Sequence, residues 1–276
     1  WEKYLQQYPD GYQYSHFKHK YSKWLRNSKP AMHIEHKAGD KMYIDYAGEK
    51  LRIVDAITGE LVPVEVFVAI LGASQLTYVE ATSSQRKEDF IGCCENALHY
   101  FGGVPMAIVP DNLKSAVKKS DKYEPTLNET FENFAHHYGT AVLPARAYKP
   151  KDKSLVEGVV KIAYQRIYTS LHDKTFFSLE DLNIAIFKAL EEHNNMLLTG
   201  RPYSRRQLFE EIEKEVLQPL PGYRYEFKKQ QYVTVSQNGH ICLREDKHYY
   251  SVPYQHIGKK VKLLYCRSQV EIYYHY

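Results

Sequence analysis

Residues 42–48 read Met-Tyr-Ile-Asp-Tyr-Ala-Gly, an apolar and aromatic stretch that carries one carboxylate, Asp45. Ile and Tyr favour β-strands, and a glycine commonly ends a strand. Burying an unpaired carboxylate in such a strand costs free energy, so a positive group is expected beside Asp45. One alternative stays open, in which Asp45 sits at a strand end, turned to solvent or paired with a lysine.

Further strands and helices are predicted on the C-terminal side of this stretch. Val, Ile and Tyr are frequent in 51–54, 62–71 and 76–82, and glycines separate these runs, which predicts an antiparallel meander. Apolar residues near the 3.6-residue period predict a helix over 86–100, and a short apolar run predicts a buried strand over 105–109. Later segments predict helices around 126–137, 155–171 and 179–194, and a strand over 141–144. This order indicates an α/β fold, with a mixed sheet flanked by helices.

A second carboxylate, Asp111, directly follows the apolar run 106–110. Ligands of open α/β sheets bind at the carboxyl ends of strands, so this place suits a metal-binding carboxylate. The alternative is structural, because an Asp between Pro110 and Asn112 is also a good turn or helix-capping residue.

A third carboxylate, Glu157, lies in a basic region. Ser154 and Glu157 have the spacing of a capping box, which is the structural alternative for this glutamate. Between positions 146 and 174 the chain has seven basic residues and three acidic ones. Lys161 is one helical turn beyond Glu157 and shares its face. The pattern indicates a carboxylate beside phosphate-binding lysines.

The order and setting of the three carboxylates carry a family resemblance. The matching segments are 42–48 around Asp45, 109–117 around Asp111, 144–146 with 149–153, and Val156-Glu157. The chain resembles the DDE transposases and retroviral-type integrases, and within them the IstA-type transposases of bacterial insertion sequences, over roughly its whole length. The sequence departs from the broader integrase pattern in three ways. Leu113 stands where a glycine is common, Asp111 and Glu157 are 157 − 111 = 46 positions apart, and no zinc-binding His/Cys module is present. The long spacing makes Asp152 a competitor for Glu157, although Asp152 precedes the helix and can serve as a cap.

The resemblance implies a ribonuclease-H-like core followed by a small all-β barrel, with Asp45, Asp111 and Glu157 as catalytic triad. It implies two Mg²⁺ ions, with Mn²⁺ as a substitute, and an enzyme that cleaves transposon ends and transfers the 3′-hydroxyl strand into target DNA. The expected partners are both DNAs, further copies of the chain, and an AAA+ ATPase helper. The DNA-binding residues are predicted to be Lys114, Lys149, Lys151, Lys153, Lys161, Arg205 and Arg206. For the two arginines, a solvated charge is an equally good account.

Four regions are predicted along the chain. Residues 1–36 form a helical connector from an N-terminal DNA-binding region, 37–200 the catalytic domain, 201–223 a linker, and 224–276 the barrel. Alternating strands on both sides of Asn238-Gly239 predict a β-hairpin there.

The amino-acid composition limits the possible classes of protein. The hydrophobic content of 43% supports one large core, and the net charge of +4 favours a polyanionic partner only mildly. No apolar run is long enough for a membrane helix, so we expect a cytoplasmic protein with no membrane. The four cysteines lack zinc-ligand spacing. The resemblance, which makes DNA the partner, further implies association with the bacterial nucleoid. The first residue is not Met and the sequence stops in an apparent strand, which predicts a piece of a longer protein. The alternative functions are a ribonuclease-H-like nuclease or integrase of another type, and a catalytically inactive DNA-binding assembly protein.

Overall fold

The computed structural model describes residues 1–28, 36–110, 117–119, 126–143, 154–245, 247–266 and 269–274. The chain divides into two units, Trp1–Glu35 and His36–Tyr276. Among the helices in the described ranges, none combines the length and the apolar content that crossing a membrane requires.

In its described residues, 1–28, the first unit contains two helices, α1 (Glu2–Gln7) and α2 (Tyr14–Ser28). Aromatic rings pack against one another within it. The Tyr4 ring stacks on that of Tyr12 at 6.5 Å between centroids and lies 4.8 Å from that of Phe17. Such ring pairs stabilise a fold by more than the burial of their apolar area alone. The predicted helices are confirmed, and their role as a connector stays a prediction.

The second unit contains the remaining elements. Its strands are β1 (Lys41–Tyr46), β2 (Leu51–Val54), β3 (Leu61–Leu71), β4 (Thr77–Thr82), β5 (Ala107–Pro110), β6 (Val117–Lys119), β7 (Thr126–Leu127), β8 (Ala141–Val142), β9 (Lys229–Thr234), β10 (His240–Leu243), β11 (His248–Ser251), β12 (Lys260–Tyr265) and β13 (Val270–Tyr273). Its helices are α3 (Lys87–Phe101), α4 (Glu129–Tyr138), α5 (Ser154–Leu171), α6 (Leu179–Asn195) and α7 (Arg205–Leu208). Helix α4 begins later than predicted because the Asn128 side chain caps it, accepting from the Thr130 N–H at 3.1 Å.

A six-stranded mixed sheet organises this unit. Strand β3 pairs antiparallel with β1, β2 and β4, while β1 pairs parallel with β5, and β5 parallel with β8. Helices α3 and α4 contribute Phe90 and Phe131 to a core that also holds Tyr46 and Phe67 of the sheet. Antiparallel strands followed by parallel ones, with covering helices, form the ribonuclease-H-like fold that the resemblance implies.

Strands β1 and β2 share one partner, and a bulge separates them. Tyr46 pairs with Phe67 of β3, and the next pair is Leu51 with Val64. Four residues, 47–50, therefore lie opposite two, 65–66. Extra residues on one strand of an antiparallel pair bend the chain out of the ladder and re-aim side chains.

Helix α6 protects an edge of the sheet. The Asn194 side chain accepts from the Thr77 N–H at 3.2 Å and donates to the Thr77 carbonyl at 2.8 Å. Asn183 makes the same pair of bonds with the backbone of Ala81, at 2.7 and 2.9 Å. Because an edge strand presents unpaired backbone groups, these two amides satisfy groups that would otherwise be buried without partners.

The segment 201–223, predicted as a linker, is folded onto the sheet. Helix α7 continues into a π turn, Phe209–Glu213, and a 3₁₀ turn, Lys214–Val216. Glu213 is buried, and its carboxylate accepts from the Gly39 N–H at 3.2 Å and the Ser74 N–H at 2.9 Å. The domain boundaries around this segment stay a prediction.

The C-terminal region is an all-β module of two small sheets. Strands β13, β12 and β9 form one, and β10 and β11 the other, around an apolar core that includes Val235, Ile241 and Leu263. The prediction that the two strands on either side of Asn238-Gly239 pair with each other as a hairpin is wrong. The turn forms, with the Ser236 N–H donating to the His240 carbonyl at 2.9 Å. However, β9 pairs with β12 along six residues, because the turn directs the chain from one sheet to the other.

Candidate active site

Asp45 lies near the end of β1, opposite Val68 of β3. Met42, Ile44 and Tyr46 of β1 are buried, and the alternation of the strand places Asp45 on the other face, half-buried. One carboxylate oxygen, Oδ1, accepts from the Tyr46 N–H at 2.8 Å. A carboxylate is therefore held at a strand end, at the rim of the core.

Strand β5 brings a second chain segment beside Asp45. Strands β1 and β5 run parallel, and their last pair joins Ile44 to Pro110. Ile44 immediately precedes Asp45, and Pro110 immediately precedes Asp111. Asp111 itself is outside the described residues, and so are Lys114, Lys149, Lys151 and Lys153.

The backbone of Glu157 lies in the first turn of α5, as predicted, while its side chain is outside what the structure describes. Further along this helix, Ile167 and Leu171 are buried in the main core. The described residues contain no group of three or more His, Cys, Asp or Glu side chains that could hold a metal. Of the predicted triad, only Asp45 has a described side chain, so the triad assignment stays a prediction.

A carboxylate that sequence reasoning missed, Glu49, connects the end of β1 to α5. The Tyr164 hydroxyl donates to Glu49 Oε2 at 2.5 Å, and the Tyr168 hydroxyl donates to the Glu49 backbone carbonyl at 2.5 Å. The two rings lie 3.9 Å apart. No local pattern reveals these contacts, because the partners are 115 and 119 residues apart in the sequence.

Both tyrosines are protonated donors at neutral pH. Burial, followed by the Glu49 carboxylate, raises the pKa of Tyr164 to about 12. Burial, followed by the neighbouring Tyr164, also raises the pKa of Tyr168. Loss of either proton would leave a negative charge beside an acceptor, so the hydroxyl form is the stable one.

Lys161, Arg205 and Arg206, the predicted DNA-binding residues within the described chain, have different settings. Lys161 is exposed on α5. Arg206 pairs with Glu191 at 2.9 Å and donates to the Tyr100 hydroxyl at 2.6 Å. Arg205 is only 3% exposed, so a DNA phosphate reaches its guanidinium only if α7 moves. The DNA contact of both arginines stays a prediction.

The surroundings of Arg205 are positively charged. Its Nε and Nη1 atoms have no hydrogen-bond partner among the described residues. Burial, together with the charge of Arg166, lowers the pKa of Arg205 to about 10, which still leaves it charged at neutral pH. Burial, followed by Arg205 and Arg166, lowers the pKa of His193 to about 3 and keeps that imidazole neutral. Desolvation disfavours the charged form of both bases.

Family comparisons agree with this architecture. Residues 34–150 match the model of the integrase core domain, and residues 220–276 match that of the Mu transposase C-terminal domain. The first match contains Asp45 and Asp111 and ends before α5, and the second covers the small β module. The matches therefore place an integrase-core segment before α5 and a Mu-transposase-like C-terminal segment in the small β module.

Several individual proteins are similar to this chain. A Sinorhizobium fredii protein named as a transposase is 41% identical over 273 residues, which cover 99% of this chain and 52% of the relative. A Burkholderia multivorans protein named as a transposase for insertion sequence IS408 is 38% identical, with coverages of 99% and 52%. The catalytic core domain of HTLV-2 integrase, solved in complex with magnesium, covers 62% of this chain and 97% of its own length, at 18% identity and a TM-score of 0.45. The chain spans about half the length of these curated relatives, and its similarity to them over nearly all of its own length confirms the predicted resemblance to transposases of bacterial insertion sequences.

Proposed function

We propose that this chain is the catalytic part of a DDE transposase that cuts DNA at transposon ends and joins the 3′-hydroxyl ends to target DNA. In this proposal Asp45, Asp111 and Glu157 hold two Mg²⁺ ions. The observation that supports it most directly is the parallel register of β1 and β5, which ends at the pair Ile44–Pro110.

The register of β1 and β5 relates the positions of two aspartates in the chain. The residue after each member of the last pair is a carboxylate, Asp45 in one strand and Asp111 after the other. Paired strands are about 4.8 Å apart, and consecutive Cα atoms about 3.8 Å. Two-metal sites have ions about 3.5–4 Å apart, a separation that neighbouring carboxylates can span. The carboxyl ends of parallel strands are also where such sheets bind ligands.

The third ligand in the proposal comes from the start of α5. Glu157 lies in its first turn, whose backbone is described, whereas the competing Asp152 is outside the described residues. We prefer Glu157 because a residue within the helix has a backbone position fixed by the helical hydrogen bonds.

The donor set suits a hard cation. Mg²⁺ prefers carboxylate oxygens, and a nearby cation would offset the cost of the half-buried Asp45 carboxylate. When bound, the two ions stabilise the charge on the attacking and leaving oxygens of an in-line displacement. Mn²⁺ is expected to substitute, because it accepts the same oxygen ligands.

The proposed reaction has two steps. Water attacks a phosphodiester at the transposon end, and the leaving oxygen takes a proton to become a 3′-hydroxyl. That hydroxyl then loses its proton to solvent and attacks a target phosphodiester, forming a new bond to phosphorus. The bond from phosphorus to the target 3′-oxygen breaks, and this oxygen takes up a proton and leaves as a hydroxyl. The phosphates are positioned by the predicted DNA-binding residues, which are Lys114, Lys149, Lys151, Lys153, Lys161, Arg205 and Arg206.

The decisive experiment measures Mg²⁺-dependent cleavage and joining of labelled transposon-end DNA by the complete protein. Asp45→Asn, Asp111→Asn and Glu157→Gln are each expected to bind DNA and to lose both steps. Asp173→Asn is the matched control, since the side chain of Asp173 is 97% exposed, and it should keep both activities. An active triad variant would show that its residue is wrongly assigned. Cleavage without joining by the wild type would favour a nuclease, and binding without cleavage an inactive assembly protein.

Lys161 provides a test of the DNA contact. Lys161→Gln is expected to weaken binding to all DNA sequences and to reduce the slope of log affinity against log salt by about 1, because one phosphate contact is lost. Lys188→Gln removes another exposed lysine, on α6, and serves as the control with an unchanged slope. Fluorescence anisotropy over a series of salt concentrations gives both slopes, and a wild-type slope for Lys161→Gln would exclude the contact.

The partners follow from the same reaction. Joining two transposon ends to one target requires a homo-oligomer assembled on transposon-end and target DNA, and we further propose an AAA+ ATPase helper. Such a protein acts in the bacterial cytoplasm, in association with the nucleoid. Size-exclusion chromatography with light scattering, with and without transposon-end DNA, measures the assembly.

A further inference from the structure

We propose that Glu49 is a positioning residue: it holds helix α5 against the end of strand β1 and thereby sets the position of residue 157 relative to Asp45. The inference deepens the proposed function and rests on Glu157 being a metal ligand.

The position of Glu49 follows from the bulge between β1 and β2. Residues 47–50 are held on both sides by β3, since the Ala47 N–H donates to the Val66 carbonyl at 2.8 Å and Leu51 pairs with Val64. Within the bulge, Lys50 forms an ion pair with Glu65 of β3. The bulge is therefore fixed to the sheet on which Asp45 lies. A helix that contacts Glu49 is consequently held at a defined position relative to that sheet.

Two bonds join this bulge to one face of α5. Tyr164 donates to the Glu49 carboxylate and Tyr168 to the Glu49 backbone carbonyl, each at 2.5 Å. Positions 157, 164 and 168 share a helix face, because spacings of seven and eleven residues correspond to about two and three turns. The Tyr164 contact lies two turns, or about 10 Å, along the helix axis from position 157. Near the other end, burial of Ile167 and Leu171 holds α5 in the core.

The physical consequence is control of helix rotation and translation. Core packing at Val160, Ile167 and Leu171 holds α5 against the sheet, and the two tyrosine bonds to Glu49 add a directional contact on the face that carries position 157. Metal sites require ligands within a few tenths of an ångström, so a small helix shift weakens the binding of ions before it unfolds the protein.

The test uses a double-mutant cycle of Glu49→Ala and Tyr164→Phe in the complete protein. Each single variant is expected to raise the Mg²⁺ concentration for half-maximal cleavage about fivefold, corresponding to one hydrogen bond, and the double variant no further. Glu49→Gln keeps an acceptor oxygen and should remain within about twofold of wild type. Tyr138→Phe is the matched control, because it removes another tyrosine–glutamate bond, 2.6 Å long, to Glu95 of α3. Its Mg²⁺ dependence should be unchanged.

A second readout does not depend on activity. Titration with Mn²⁺, followed by electron paramagnetic resonance, measures ion binding, and Glu49→Ala should weaken it about as much as Tyr164→Phe does. If Glu157→Gln weakens Mn²⁺ binding but neither of these variants does, the positioning role is wrong and the triad stands. If Glu157→Gln leaves Mn²⁺ binding unchanged, Glu157 is not a ligand and the proposed function itself loses its third carboxylate.

Discussion

Asp45→Cys is expected to lower Mg²⁺-dependent DNA cleavage on the order of 10³-fold. A bound metal contributes several kcal/mol of transition-state stabilisation, and each 1.36 kcal/mol corresponds to a factor of ten in rate. A thiolate is a poor ligand for a hard cation such as Mg²⁺. Because Asp45 lies at the end of β1 with its position fixed by pairing to Val68, no neighbouring residue on that strand can take its place.

The same variant distinguishes a metal ligand from a merely structural carboxylate. Mn²⁺ is a softer ion than Mg²⁺. The cleavage rate of Asp45→Cys with Mn²⁺ should therefore be at least tenfold higher than its rate with Mg²⁺. Asp173→Cys, at an exposed position, should behave as wild type with both ions. The measurement is single-turnover cleavage of transposon-end DNA with each ion, together with DNA binding and circular dichroism. An equal loss with both ions would argue against metal ligation by Asp45.

Asn194→Leu is expected to reduce the free energy of unfolding by about 3–5 kcal/mol. The Asn194 side chain is buried and bonds to the N–H and carbonyl of Thr77 and, at 2.9 Å, to the Tyr100 hydroxyl. Leucine fills a similar volume but leaves the two Thr77 backbone groups unpaired in the interior, at about 1–3 kcal/mol each.

Its control is the next residue of the same helix. Asn195 is exposed and donates at 2.8 Å to the Glu191 carbonyl of its own helix, so Asn195→Leu should change stability by less than about 0.5 kcal/mol. Asn194→Asp keeps the acceptor for the Thr77 N–H and loses the donor, so an intermediate loss is expected. Chemical denaturation measures all three, and a wild-type midpoint for Asn194→Leu would show that β4 does not depend on this amide.

Local patterns in the sequence predicted most secondary-structure elements and the class of fold. The apolar and aromatic stretch around Asp45 indicated β1, and the 3.6-residue period over 86–100 indicated α3. The glycine turn at Asn238-Gly239 was also predicted. In the structure Gly239 has a φ of +75°. Period and turn chemistry depend on neighbours within a few residues, so the sequence carries them directly.

Partners distant in the sequence were decided only by the tertiary structure. The turn at Asn238-Gly239 could not indicate that β9 pairs with β12, and the local sequence could not indicate that Arg205, for which a solvated charge was one of two accounts, is buried. Glu49 meets Tyr164 across 115 residues, and Asn194 meets Thr77 across 117. Such contacts depend on which surfaces become adjacent when the core forms, and the free energy of burying those surfaces outweighs the local preference of a single turn or charge. By itself, then, the sequence determined the elements and their order, including a strand that carries Asp45, and the packing of the core determined which side chains stand beside that carboxylate.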